Sequence, residues 1–395
     1  MTFMKAALTP NEAYLLHLVR CYVTDRVPTE PYHGARVSEL LALAQRQAIS
    51  AIVCEQLLRL PNIPEPRAKE LERLRLNCIQ RDASERAATD AILASLSKAG
   101  IRCMPLKGIC LKQLYRQPYH RSMSDIDILT DFSFCKEIRT IMEDLGYVCE
   151  GEATRNHFNF RRSMQEIEFH EALLSVDAYG TEFSKNAWAR TYAVSSDGFE
   201  LRMDDTQQYL YALLHLLQHY LKGGVGIRFL LDICLLLREA PPDHAELQEL
   251  LQTLELVDFE RSIRAFSAIL CSERELNEEE LLFVKHLLEG NQYGATTQRA
   301  AQEIVRSGSR TKRVLRALFE PKAVLLEAYP RLRRTPWLYP LYYPHRICYR
   351  LRHRKTQMER RMQAGRIEDE RIEQQRQLYS ALGILSVAKR AAEKC

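Results

Sequence analysis

Two aspartates one residue apart, Asp125 and Asp127 in the segment SDIDIL, are the residues whose spacing says most about chemistry. In an extended strand, positions i and i+2 project to the same side with Cα atoms about 7 Å apart, a separation set by the strand rise. Two carboxylates held in that way can converge on a hard divalent cation. Mg²⁺ bound by carboxylates keeps positions open for phosphate oxygens, so the pair suits phosphoryl chemistry. Upstream, Lys107 and Gly108 stand at a predicted strand-to-helix turn. A glycine there lets backbone approach a phosphate, and the start of the following helix offers free N–H groups. Arg121 and Ser124, in the segment leading to Asp125, add a cation and a hydroxyl for the same anion. Alone, a D-x-D pair reads more readily as a solvated strand face than as a site. It becomes a candidate site through its company, K-G before it and R-S-M-S-D around it.

The elements that must carry these residues change character along the chain. Residues 11–100 show apolar positions at three- and four-residue spacing, as in VSELLALAQRQAISAIVCEQLLRL, and predict helices broken at PNIPEP and stopped at Gly100. A mixed stretch follows. IRCMPL reads as a buried strand, LKGICLKQLY as a helix start, DIDILT as an alternating strand, FCKEIRTIMEDLG as a helix and YVCE as a strand. HFNFRR and EIEFH alternate on either side of Ser163 and Met164, the pattern of a hairpin, and GFELRM at 198–203 is a further strand candidate. From Thr206 the helical period returns, interrupted by YPRLRRTPWLYPLYYPHR. The predicted fold class is therefore α+β and helix-rich, a small mixed sheet flanked by helical regions. The predicted organisation is an N-terminal helical region 1–99, a core 100–204, a C-terminal helical domain 205–355 and a charged helical tail 356–395.

The string LKGICLKQLYRQPYHRSMSDIDIL, residues 106–129, resembles the uncharacterised nucleotidyltransferase family of the polymerase-β-like superfamily. It is similar, more distantly, to the nucleotidyltransferase toxins of abortive-infection systems. The matching positions are Lys107, Gly108, Leu114, Tyr115, Arg121, Asp125, Asp127 and Leu129. Most of the superfamily carries Gly-Ser in the turn. Here Ile109 follows Gly108, which removes a phosphate-binding side chain that Lys107 partly replaces.

The resemblance implies a third carboxylate on a later strand and assigns it to Glu168 in EIEFH, with His170 beside it. His170 is open between an orienting hydrogen bond and a part in catalysis. The implied reaction is transfer of a nucleoside monophosphate from a nucleoside triphosphate, ATP among the candidates, to an acceptor hydroxyl with release of pyrophosphate. Mg²⁺ is the implied cofactor, with Mn²⁺ as the alternative. Asp125, Asp127 and Glu168 would be catalytic and metal-ligating, and Lys107, Gly108, Arg121 and Ser124 would bind the nucleotide. The acceptor is open between RNA, protein and a small molecule. A catalytically silent binding or regulatory module of the same fold is the alternative, which the missing turn serine favours and the three carboxylates oppose. A nuclease fits less well, because the Lys-Gly turn implies a phosphate-terminated small ligand.

Other signals carry less. His215 and His219 are four apart on a predicted helix, but Leu216 stands where a zinc protease needs glutamate. With Arg228 and Asp232 they read either as a cleft lining or as a polar seam between helices. Between Arg310 and Arg366, 16 Lys/Arg stand against 3 Asp/Glu, so this segment is strongly basic although the whole chain carries only +5. Its interleaved tyrosines and arginines suit either RNA or a packed, proline-bounded crossing. Eleven cysteines without a C-x-x-C pair read as free thiols in a reducing cytoplasm, the predicted compartment. The apolar run Ile227–Leu237 is short and contains Arg228 and Asp232, so no membrane span is predicted.

Overall fold

The computed structural model describes residues 7–150, 157–174, 183, 187–291, 296–307, 336–338, 342, 344 and 369–388. Nearly all of the basic 310–366 segment, and part of the predicted tail, lie outside the described residues.

The N-terminal helices form where the apolar spacing predicts them: α1 Pro10–Thr24, α2 Val37–Arg46, α3 Ser50–Leu58 and α4 Glu65–Lys98. A capping box starts α1, with the Thr9 side chain accepting from the Glu12 backbone and the Glu12 carboxylate accepting from Thr9 N–H. Gly100, at φ +71°, lets the chain turn out of α4.

Five strands follow: β1 Cys103–Pro105, β2 Ile126–Thr130, β3 Val148–Glu150, β4 His157–Arg162 and β5 Gln165–His170. They form one mixed sheet in the order β1-β2-β5-β4-β3. The pair β2/β5 is parallel and the other neighbours are antiparallel. The hairpin between β4 and β5 turns at Ser163 and Met164 as expected, with Ser163 at φ +55°. The helix that opens after Lys107 is one short turn, α5 Gly108–Leu111, continued by a 3-10 turn. The strand candidate near 201 forms β7 Leu201–Met203, which pairs with β6 Thr191–Ala193 in a second, two-stranded sheet, and Glu200 beside it makes a parallel bridge to Cys103 of β1.

Helix α6, Cys135–Asp144, and the C-terminal half of α4 cover one face of the sheet. There Ile126, Ile128, Ile167 and Phe169 pack with Ile92, Leu96, Ile138 and Met142. The alternation that buries those isoleucines turns Asp127, Glu168 and His170 to the opposite face. Helices α7 Asp205–Lys222, α8 Ile227–Glu239, α9 His244–Thr253, α10 Val257–Ala268, α11 Glu278–Glu289, α12 Thr296–Ser307 and α13 Asp369–Ala381 follow. Their core is continuous with that of the N-terminal helices: Leu18 and Tyr22 of α1 share one cluster with Leu217, Leu231 and Phe283. Among the described residues no helix is long and apolar enough to cross a membrane.

Candidate active site

Asp127 of β2 stands directly beside Glu168 of β5 in the parallel register, so two carboxylates meet across one strand spacing. Asp127 is only 3% exposed and is served by two nitrogens. Lys107 Nζ donates to its Oδ1 at 2.8 Å, and His170 Nε2 lies 2.6 Å from the same oxygen. His170 Nε2 is also 3.6 Å from Glu168 Oε2, while Asn159 donates to Glu168 Oε1 at 3.3 Å. Asp127, Glu168 and His170 each offer a ligand atom within 4.8 Å of the others, a donor set able to hold a cation. Glu166, two residues before Glu168, is drawn off to Arg161 on the neighbouring strand.

Charge divides the two carboxylates. Burial would raise the Asp127 pKa, but Lys107 and His170 outweigh it and hold the group well below the usual carboxylate range. Glu168 moves the other way, because burial and the adjacent Asp127 and Asp125 charges all push its pKa up. Burial would lower the Lys107 pKa, yet attraction to Asp127 prevails and keeps the ammonium charged.

Lys107 has an unusual backbone, at φ +48° and ψ −113°. A side-chain-bearing residue held there costs roughly 1–3 kcal/mol, and such residues cluster at functional sites. The surroundings impose it. Leu106 N–H donates to the Asp127 carbonyl at 2.9 Å, tying the chain to β2 just before the turn. Beyond the turn, buried Lys112 donates to Asp82 at 2.7 Å and to Glu85 at 2.6 Å, pinning the short helix to α4. Gly108 is needed for packing: a Cβ there would come within 2.3 Å of Met123 Sδ and 2.8 Å of an Arg121 nitrogen. To the expected reason for the glycine, close approach of a phosphate, the packing adds a steric one.

Three other expected ligands sit differently. Asp125 precedes β2 and is half-buried, and its carboxylate accepts from the exposed Ser124 hydroxyl at 2.8 Å. It is outside the converging trio, although its charge still bears on Glu168. Arg121 is 5% exposed and commits two nitrogens to Asp232 of α8, at 2.8 and 2.9 Å. It therefore braces the turn through Gly108 and does not present a free guanidinium to an anion.

A family model described as an uncharacterised nucleotidyltransferase matches residues 33–271. The chain belongs to that family. Every candidate residue above lies inside the matched span. Among solved structures, the chain is similar to the solution structure of the antibiotic-resistance factor ANT(2'')-Ia, with 12% identity and a TM-score of 0.31. That match covers 47% of this chain and 96% of the other. No match is found among curated proteins.

Behind the turn lies a cavity whose lining includes Lys107, Arg121, Tyr211, His215, Phe229 and Asp232. His215 and His219, on α7, lie 2.8 Å apart between their Nε2 atoms. Burial and the nearby Lys107 charge keep both neutral, His219 at a pKa of about 4. His215 lines the cavity with His219 one turn further along α7, neither joins the carboxylate trio, and buried Arg228 and Asp232, 3.6 Å apart on the next helix, make the surroundings a polar seam as well as a cleft wall. Tyr211 carries no motif that singles it out in the sequence. It is 3% exposed, close enough to Lys107 for that charge to act on it, and its hydroxyl has no hydrogen-bond partner among the described residues. The one signal of its place is its position a helical turn before His215.

Proposed function

We propose that the protein is a divalent-metal-dependent transferase that moves a nucleoside monophosphate from a nucleoside triphosphate to an acceptor hydroxyl. The observation that carries this reading is Asp127 set in register with Glu168, with Lys107 held in a strained conformation 2.8 Å from the first. The donor set fits a hard cation: Asp127 and Glu168 supply oxygens, Asp125 can add another by leaving Ser124, and the Lys107 ammonium already marks where positive charge is favoured on Asp127. Mg²⁺ or Mn²⁺ bound there would supply charge neutralisation at the triphosphate and a more acidic acceptor hydroxyl.

The chain's own residues do the rest. Lys107 exchanges Asp127 for a phosphate oxygen and offsets charge on the leaving pyrophosphate. Glu168, in register beside Asp127, takes the acceptor's proton. The acceptor oxygen bonds to the α-phosphorus, the bond from that phosphorus to the bridging oxygen breaks, and pyrophosphate departs. His170 orients Asp127. Arg121 acts at one remove, by fixing the turn.

The test is incubation of the protein with each of four α-labelled nucleoside triphosphates, Mg²⁺ or Mn²⁺ and a cell extract. One extract fraction should acquire label with the native protein and none with Asp127→Asn. Transfer that survives in Asp127→Asn would sink the reading.

A further inference from the structure

Two free thiols that the candidate active site does not use stand in contact. Cys234 of α8 and Cys271, the last residue of the 3-10 turn Ile269–Cys271 that follows α10, have their Sγ atoms 3.4 Å apart. A disulfide holds its sulfurs about 2.0 Å apart, so the pair has about 1.4 Å left to close, within the reach of side-chain rotation. Other thiols are engaged differently. Cys21 lies 3.5 Å from His17 Nε2, and Cys110 donates to the Pro105 carbonyl at 3.1 Å.

The two sulfurs differ in access. Cys271 is exposed, whereas Cys234 is 4% exposed and belongs to the main apolar core. Burial and the neighbouring thiol push the Cys234 pKa up, so it is a poor first target for a reagent in solution. It need not be the first. A reagent reaches Cys271, and Cys234 then has only to attack the sulfur beside it. An accessible cysteine next to a resolving one is the arrangement of redox-sensing pairs.

A bond at this point would join two parts of the helical region. Cys234 is two residues past Asp232, the carboxylate that takes Arg121 and the Tyr115 hydroxyl. The 3-10 turn is already held by Arg20 of α1, whose Nε donates to the Ile269 carbonyl at 3.0 Å. The two cysteines are 37 positions apart, with α9 and α10 between them. Cross-linking them removes freedom from the unfolded chain over a loop of that length, and so stabilises the folded state.

We propose that Cys234 and Cys271 are a reversible redox site, two thiols in the reduced protein that low-molecular-mass disulfides close to an intramolecular disulfide. The Cys271 thiolate attacks one sulfur of the reagent and expels the other as a thiolate, leaving a mixed disulfide. The Cys234 thiol gives its proton to solvent, its sulfur attacks Cys271 Sγ, and the second reagent thiolate leaves. Two cysteines are oxidised and one reagent disulfide is reduced. The two protons lost by the protein end on the two released thiols.

The test is treatment of the folded full chain with 2-hydroxyethyl disulfide, capping of the remaining thiols with N-ethylmaleimide in denaturant, and digestion with trypsin. Cleavage after arginine puts the two cysteines in separate peptides, FLLDICLLLR and AFSAILCSER, each with no other cysteine. The two peptides should be found joined, about two mass units lighter than the pair of free thiols, and dithiothreitol should separate them. The joined form should unfold at a higher urea midpoint than the reduced form. Cys271→Ser should lose both the joined peptide and the shift, and should keep the native circular dichroism because position 271 is exposed. Recovery of Cys271 as a lasting mixed disulfide with Cys234 capped, or of both thiols capped, would overturn the proposal. So would either cysteine joined to a third in place of the other, or one urea midpoint shared by the oxidised and reduced forms.

Discussion

Two clusters of buried charge flank the Lys107 turn, and they are built on opposite plans. Around Asp232, Arg121 donates twice, the Tyr115 hydroxyl donates at 2.7 Å and Arg228 stands at 3.6 Å, with every member at most 6% exposed. One carboxylate is saturated by its donors there. Around Asp127 the balance is reversed, since Lys107 and His170 must serve Asp127 with Glu168 and Asp125 close by. A cluster that only holds a fold together satisfies every lone pair. One with acidic oxygens in excess is prepared for a cation it does not itself contain. The difference predicts that charge removal will silence one cluster and loosen the other.

Asp127→Asn should show the largest functional effect, a loss of transfer of about 10³-fold, the scale of removing one preorganised charge interaction in a dry site. The variant should still fold, as judged by circular dichroism, because Asn keeps the shape and Lys107 retains access to solvent.

Asp232→Ala should invert that pattern. It leaves the Arg121 guanidinium buried and unpaired, at a cost of ~3–5 kcal/mol, read as a lower urea midpoint. Replacing both members, Arg121→Met with Asp232→Leu, should recover much of the loss. Asp232 has a depressed pKa, because attraction to Arg121 and the hydrogen bonds overcome burial. Its stabilisation is thus present above the ordinary aspartate value of about 3.9 and fades as pH falls toward the folded value. The native and Asp232→Ala stabilities should converge in acid. A gap independent of pH would mean that packing, not charge, holds this region.

Glu168→Gln comes next, with transfer reduced about 10²-fold if the carboxylate is the proton acceptor. Its raised pKa means the folded state favours the protonated form, so the charged form costs stability increasingly as pH rises past the ordinary glutamate value of about 4.3. Glu168→Gln should therefore be more stable than the native protein at neutral pH in the absence of metal, and the advantage should vanish in acid. Added Mg²⁺ with nucleoside triphosphate should reverse the ranking, which thermal melts at two pH values would detect. Glu166→Gln is the control, since Arg161 holds that side chain away from the trio.

Local spacing makes the open cluster legible in the sequence and leaves the closed one hidden. Asp127 and Lys107 sit where a short pattern predicts, alternation in DIDILT and a turn at Lys-Gly; alternation in EIEFH puts Glu166 and Glu168 on one face, and only the family resemblance singles out Glu168. The helix-rich fold with its mixed sheet follows from the change of period at residue 100 and again at Thr206. The bond between Arg121 and Asp232 spans 111 positions, and no periodicity reports an interaction of that range. Local pattern therefore assigns Arg121 to the nucleotide, whereas its partner is a carboxylate on a later helix. Strand alternation likewise aims the Asp125 side chain beside Asp127, but the strand begins one residue after it, and the Ser124 hydroxyl holds its carboxylate. Gly108 stands out by its residue type alone, whereas its cause, the Met123 and Arg121 side chains against it, comes from tertiary packing.

The last prediction separates the two jobs that meet in Lys107. Its ammonium belongs to the open cluster, while its backbone, at φ +48°, is imposed by the β1-to-α5 connection. Lys107→Ala removes the ammonium and keeps a Cβ in the strained conformation. Lys107→Gly removes the ammonium and also relieves the strain, because glycine adopts positive φ at little cost. Both should weaken nucleoside triphosphate binding by about tenfold, the worth of roughly one charge–charge interaction at a half-buried site. In thermal or urea unfolding, however, the glycine variant should be the more stable of the two by ~1 kcal/mol. If alanine proves equal or better, the turn is not strained in solution, and the positive φ is no argument for function at this residue. If the two variants match in stability and both bind nucleotide normally, the ammonium serves only to neutralise Asp127. The open cluster would then be a second closed one, and the contrast with Asp232 would disappear.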